Sequence, residues 1–158
     1  MLALLFYLGD EKYTIKCGRV REIAPMVSLK EMPNSPEFFA GLFNYRGMIV
    51  PVIDLRQLIQ GCPCQIRLST RIILVDYVGP DNMASVFGLM AERVTEAVMK
   101  PEDALVAPSV NMQNAPYLGG IVMEQNTMIQ YIDVELLPGS LHFLPMLESG
   151  AANVAADH

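Results

Sequence analysis

The chain has 158 residues, a formal net charge of −6, and 52% apolar against 18% charged residues. That length suits one domain with a sizeable core, and the eleven scattered Lys and Arg form no stripe to neutralise phosphates, which argues against nucleic acid or anionic lipid as ligand. No apolar run reaches the roughly 18 residues needed to span a bilayer, so a cytoplasmic chain without direct membrane insertion is expected, its apolar surface covered by protein partners.

Residues 2–8 read as an apolar strand, lacking the basic flank and small-residue cleavage site of a signal segment. Residues 9–12 form a turn and 13–17 a second strand, with Tyr13, Ile15 and Cys17 on one face and Thr14 and Lys16 on the other. Pro33 and Pro36 make 27–37 a crossing loop. The run 48–53 resembles a buried strand apart from Pro51, which has no amide hydrogen and must face an edge, a bulge or a gap between sheets. Asp54, three residues before Gln57, resembles a capping box opening a short helix. After a polar joint at 60–70 come a strand at 71–78, a turn at 79–82, and strands at 84–91 and 93–98 that would pair. A loop bounded by Pro101, Pro108 and Pro116 leads to strands at 117–124 and 127–132, then a helical turn from Asp133. The small, polar tail 148–158 reads as disordered. Short strands between turns predict an all-β barrel architecture.

The block 41–58, GLFNYRGMIVPVIDLRQL, recurs without a gap at 120–137 as GIVMEQNTMIQYIDVELL. Gly41 matches Gly120, Ile53 matches Ile132, Asp54 matches Asp133 and Leu58 matches Leu137. Apolar and turn positions persist, whereas Asn44, Tyr45, Arg46 and Gly47 face Met123, Glu124, Gln125 and Asn126. Val20, Glu22 and Ile23 are echoed by Val94, Glu96 and Ala97 at a similar distance ahead. The pattern predicts two similar small barrels, of which only the first keeps an arginine in its turn.

At VREI, GLFNYRGMIVPVIDL and FGLMAERVTEAV the chain resembles the CheW-like domain, the adaptor of bacterial chemotaxis-type signalling arrays. The matching residues run in order: Phe6, Gly9, Tyr13, Val20, Glu22, Ile23, Pro33, Gly41, Asn44, Arg46, Gly47, Pro51, Val52, Asp54, Leu55, Gly88 and Val94. The resemblance implies two SH3-like five-stranded β-barrel subdomains around a shared apolar core, with short helices. They would form a single domain over 1–147, intertwined and dividing near 60–70. It implies no catalysis and no cofactor. The implied partners are the cytoplasmic tip of a chemoreceptor, the regulatory domain of a CheA-like histidine kinase, and other CheW-like domains. Carried over, Val20, Glu22, Arg46 and Val94 are receptor-side candidates, while Gly41, Gly47, Gly88 and Gly120 are structural turn residues and Asp54 a cap. Two features depart from the family pattern. Ala91 and Glu92 stand where a VD-type pair is usual, and Tyr45 stands inside the NxRG turn, which leaves room for a receptor of a surface-sensing or twitching pathway.

Arg46 has several directional donors for a receptor carboxylate or helix-tip carbonyl, and equally a plain internal role in pairing with Glu22. Val20 and Val94 are either core residues or opposite walls of one trough. Asp10 with Glu11, and Glu102 with Asp103, sit in polar turns without a nucleophile nearby, and His142 and His158 assemble no metal site or triad. An enzyme with a site between the barrels is the rival reading. Cys17, Cys62 and Cys64 are an odd set, and the Cys62, Pro63, Cys64 spacing is too tight for an ordinary disulfide or a zinc knuckle, which predicts free thiols. Met26, Met32 and Met48 offer a soft contact surface.

Overall fold

Strand β1 (Leu2–Leu8) turns through Gly9, at a φ of 64°, into β2 (Glu11–Lys16), the first of the hairpins. The computed structural model describes residues 2–78, 82–95, 97–99, 105–106 and 115–138. Next come β3 (Val20–Pro25), β4 (Phe39–Tyr45), β5 (Met48–Asp54) and helix α1 (Leu55–Gln60). The second half supplies β6 (Arg71–Val78), β7 (Ala84–Ala91), β8 (Ala97–Met99), β9 (Leu105–Val106), β10 (Leu118–Glu124) and β11 (Thr127–Ile132). The predicted hairpin at the start, the strands at 71–78 and 84–91 and the final pair all appear.

The strands form two sheets, ordered β8-β1-β2-β11-β10-β9 and β3-β6-β7-β5-β4. Apart from the two-residue β9, these are the walls of two SH3-like barrels, and each uses a hairpin from the opposite half of the chain. Hairpin β1–β2 joins β11 through a parallel β2–β11 pairing, and hairpin β6–β7 joins β5 through a parallel β5–β7 pairing. The bridge between Lys30 and Leu42 brings the chain leaving β3 onto β4, the opposite edge, and closes the second sheet. The repeat read from sequence is present in the backbone. The Asp54 amide donates to the Phe38 carbonyl at 2.8 Å, and the Asp133 amide donates to the Tyr117 carbonyl at 2.7 Å. Strands β4 and β10 each change register at the matching place, between Phe39 and Gly41 and between Leu118 and Ile121.

One apolar core spans both sheets and includes Phe6 and Ile15 of the first, Ile53, Ile72 and Phe87 of the second, and Ile132 and Leu137. A smaller cluster of Leu5, Val122 and Ile129 belongs to the β8-β1-β2-β11-β10-β9 sheet alone. Pro51 opposes Leu42 of β4 and lies just ahead of Val52–Asp54, the stretch of β5 that pairs with β7, so its missing donor falls on an edge.

The expected pairing of strands 84–91 and 93–98 does not occur. Strand β7 pairs with β6 and β5, while Ala97–Met99 pairs with Leu2–Leu4 of β1, because Arg93–Thr95 carries the chain across to the other sheet. After Asp133 the chain turns through 134–136 and enters helical backbone at Leu137 and Pro138, where the described residues end. Turn residues 79–81, most of the proline-bounded loop and the tail 148–158 lie outside the described residues.

Gly47 lies in the β4–β5 turn at a φ of 85°, whereas Gly41, at a φ of 143°, lies inside β4 where its register changes rather than in a turn. Gly88 sits inside β7, where a Cβ would stand 2.8 Å from Ile72 Cγ2, and Gly120 sits inside β10. Gly88 is therefore a close-packing position rather than a turn. A Cβ on Gly41 would stand 2.8 Å from the Lys30 carbonyl oxygen and 2.9 Å from Leu29 Cβ, whereas nothing lies within 4 Å at Gly47. Gly41→Ala is expected to cost about 2–4 kcal/mol from strain and overlap together, and Gly47→Ala about 1–2 kcal/mol from backbone strain alone. Urea unfolding of both variants checks the order.

Candidate functional site

Hairpin β4–β5 closes with Tyr45 opposite Met48, leaving Arg46 and Gly47 as a two-residue loop with φ of 51° and 85°. Positive φ at both positions is the geometry that best matches strand twist, and it favours Asn-Gly over Arg-Gly. The Asn44 Oδ1 accepts from the Gly47 amide at 2.9 Å and holds the turn. An arginine in the first of these positions is locally unfavourable.

The Arg46 side chain is 76% exposed, with Nη2 3.5 Å from Glu22 Oε1 and Cζ 5.1 Å from the Tyr45 ring centroid. The Tyr45 hydroxyl donates to Glu22 Oε2. Glu22, on β3, thus receives both the phenol and the guanidinium of the hairpin tip. The hydrogen bond to Glu22 pushes the Tyr45 phenol above its ordinary value, burial adds to this, and the hydroxyl remains a donor. An exposed ion pair contributes at most about 1 kcal/mol, so the arrangement aims Arg46 more than it stabilises the fold. Most of its five N–H donors have no partner among the described residues. Exposed Met48 and Ile49 follow on the same hairpin, and Ile23 is exposed beside Glu22. The matching tip of β10–β11 repeats the backbone turn at Gln125 and Asn126, with φ of 47° and 65°, but carries no arginine.

Glu22, Tyr45 and Arg46 are therefore brought together. Val20 begins the strand that carries Glu22 and packs, half-buried, against the core. Val94 is also half-buried against that core but comes from the segment between β7 and β8, where its amide donates to the Ser69 carbonyl. The Asp54 carboxylate caps α1 by accepting from the Gln57 amide at 3.1 Å, and it also accepts from the Cys64 amide at 3.0 Å. The Gln57 side chain turns toward Glu37, so only half of a capping box forms. Cysteines 17, 62 and 64 are free, and burial pushes the Cys64 thiol well above its ordinary value.

Sequence reasoning treated Glu92 only as a departure from pattern. It is 8% exposed and accepts from the Gly9 amide at 2.7 Å, the Gln65 amide at 2.6 Å and Arg56 Nη1 at 3.1 Å. Arg56 Nε in turn donates to Gln60 Oε1, and Gln60 Nε2 donates to the Leu8 carbonyl. This network ties the first hairpin turn, α1, the 60–70 joint and the end of β7. Its one sequence signal is an acid after β7 together with the arginine of DLR, and nothing local links the two.

The site is thus an exposed cation with exposed apolar side chains at one hairpin tip, on two barrels that share one core. The model of the CheW-like domain matches residues 2–141, and the chain belongs to that family. It is 30% identical over 143 residues to the chemotaxis protein CheW of Klebsiella aerogenes, covering 87% of this chain and 81% of the relative. It is 28% identical to the chemotaxis protein CheW of Helicobacter pylori, covering 82% and 76%. The crystal structure of the scaffolding protein TtCheW from Thermoanaerobacter tengcongensis superposes with a TM-score of 0.75 at 29% identity, covering 86% of each chain. Scaffold function in chemotaxis is thus the family character of this protein.

Burial alone would raise the Glu92 carboxyl, but the Gln65 and Gly9 amides and Arg56 more than offset it and hold it below the ordinary glutamate value. A depressed acid contributes stability that is complete above its unfolded value of about 4.3 and is lost as pH falls through the folded one. Glu92→Gln should lower the urea midpoint at neutral pH and flatten its decline below about pH 5. Parallel urea titrations of the two proteins between neutral and acid pH check this.

Proposed function

We propose that this protein is a noncatalytic, cytoplasmic adaptor coupling the cytoplasmic tip of a methyl-accepting-type receptor to a CheA-like histidine kinase, and so recruited to receptor arrays at the membrane. The observation that carries the reading is Arg46, an exposed guanidinium on a left-handed turn that would suit asparagine better, aimed by Glu22 and Tyr45. Arg46 supplies directional donors to a carboxylate or helix-end carbonyl on the receptor tip. Val20 and Val94 supply apolar surface on the receptor side, and the regulatory domain of the kinase engages the first barrel. Family membership and the likeness to the scaffolding protein TtCheW support the same reading.

The mechanism is positional. Two interfaces of modest area, held simultaneously, raise the effective concentration of kinase near receptor. The adaptor then biases the kinase only toward the arrangement it binds better.

Arg46→Ala is expected to weaken binding of the receptor tip about tenfold or more, with folding stability changed by less than about 1 kcal/mol. Arg46→Asn, which suits the turn, should bind equally poorly while folding at least as well. Tyr45→Phe, which keeps the ring and removes the donor to Glu22, should lose less affinity than either. Fluorescence anisotropy with a labelled receptor-tip fragment reads all three. Undiminished binding by both folded Arg46 variants would overturn the assignment.

A further inference from the structure

A polar cleft of about 270 Å³ lies away from the Arg46 turn, lined by Gly9, Asp10, Arg56, Gln65, Arg67, Ser69, Thr70, Glu92 and Arg93. On a chain of net charge −6 it gathers three arginines against two acids. Arg56 and Glu92 neutralise each other in the buried network. Arg67 and Arg93 have no carboxylate partner among the described residues, although they face the same space.

Each guanidinium has a polar contact at the cleft. Arg93 Nη2 donates to the Gly9 carbonyl at 2.7 Å, and its Cζ lies 4.1 Å from the Tyr7 ring centroid. Arg67 donates to Gln65 Oε1, and its amide donates to Thr70 Oγ1 at 3.1 Å. Each keeps further N–H donors unused. Two oriented cations on one cleft repel each other until an anion lies between them, and the fork geometry of guanidinium suits the paired oxygens of carboxylate or phosphate. The volume is below the roughly 300–1,000 Å³ of drug-sized ligands, which restricts the occupant to a small ion or a single acidic group. We propose that this cleft is an oxyanion site, taking a carboxylate or phosphate group between Arg67 and Arg93. Asp10, exposed on the adjoining turn, opposes binding. This inference does not depend on receptor coupling.

Amide NMR spectra of the full chain, titrated at constant ionic strength, test it in two arms: inorganic phosphate, and a short peptide carrying two glutamates with its diglutamine counterpart as control. Saturable shifts at Gly9, Gln65, Arg67, Ser69 and Arg93 are expected in at least one arm. Saturation by phosphate alone identifies a free ion as the ligand, and saturation by the glutamate peptide alone identifies an acidic side chain. Arg67→Gln and Arg93→Gln should each weaken binding about tenfold, and Asp10→Asn should tighten it. Arg67 lies on the exposed joint and does not touch Tyr7, so its variant reads the site even if Arg93→Gln perturbs the fold. Shifts that fail to saturate in both arms, or that persist unchanged in Arg67→Gln, would overturn the site.

Discussion

The structure depends on two parallel strand pairings, β2 with β11 and β5 with β7, through which each half of the chain lends its hairpin to the other. Antiparallel neighbours are joined by short turns, whereas these parallel seams unite segments far apart in sequence. Without them β2 and β7 would each present an unpaired edge, and unpaired edges invite association with other chains. The seams also explain why one core serves both barrels. Phe6 and Ile15 come from the lent hairpin of one half, Ile53 and Phe87 from the complementary pair, and all join a single apolar cluster.

Against this shared frame the two hairpin tips have diverged. Both keep the two-residue turn with left-handed backbone and the register change further down the strand, since these belong to barrel closure. Only the first combines a cation in the turn with an aromatic donor beside it and an acid on β3 to receive both. The two copies thus share their packing and differ in their polar chemistry.

The Glu92 network is a second consequence of the exchange. Its carboxylate stands where the first hairpin turn, α1 and the end of β7 converge, and it satisfies backbone amides that the crossing leaves without ladder partners. The arginines around it follow from that convergence. Arg56 compensates the buried charge, while Arg67 and Arg93 line the cleft outside.

Much was legible in the residues alone because it rests on local rules. Alternation and turn chemistry placed β1, β6, β7, β10 and β11, the Asp54 cap needed only its neighbour three residues on, and the repeat of 41–58 at 120–137 announced two like units. The family motif likewise singled out Arg46, Glu22 and the valines. Partner strands were not legible. Residues 93–98 read as the mate of 84–91, yet they cross to β1, because which edge a strand joins is decided by the competing burial of whole faces. Nor could sequence show that Glu92 draws on Gly9, Gln65 and Arg56, separated from it by 83, 27 and 36 positions. Periodicity along a chain determines which face of each element is apolar. Only closure in three dimensions determines which elements meet, and with them which charges share a pocket.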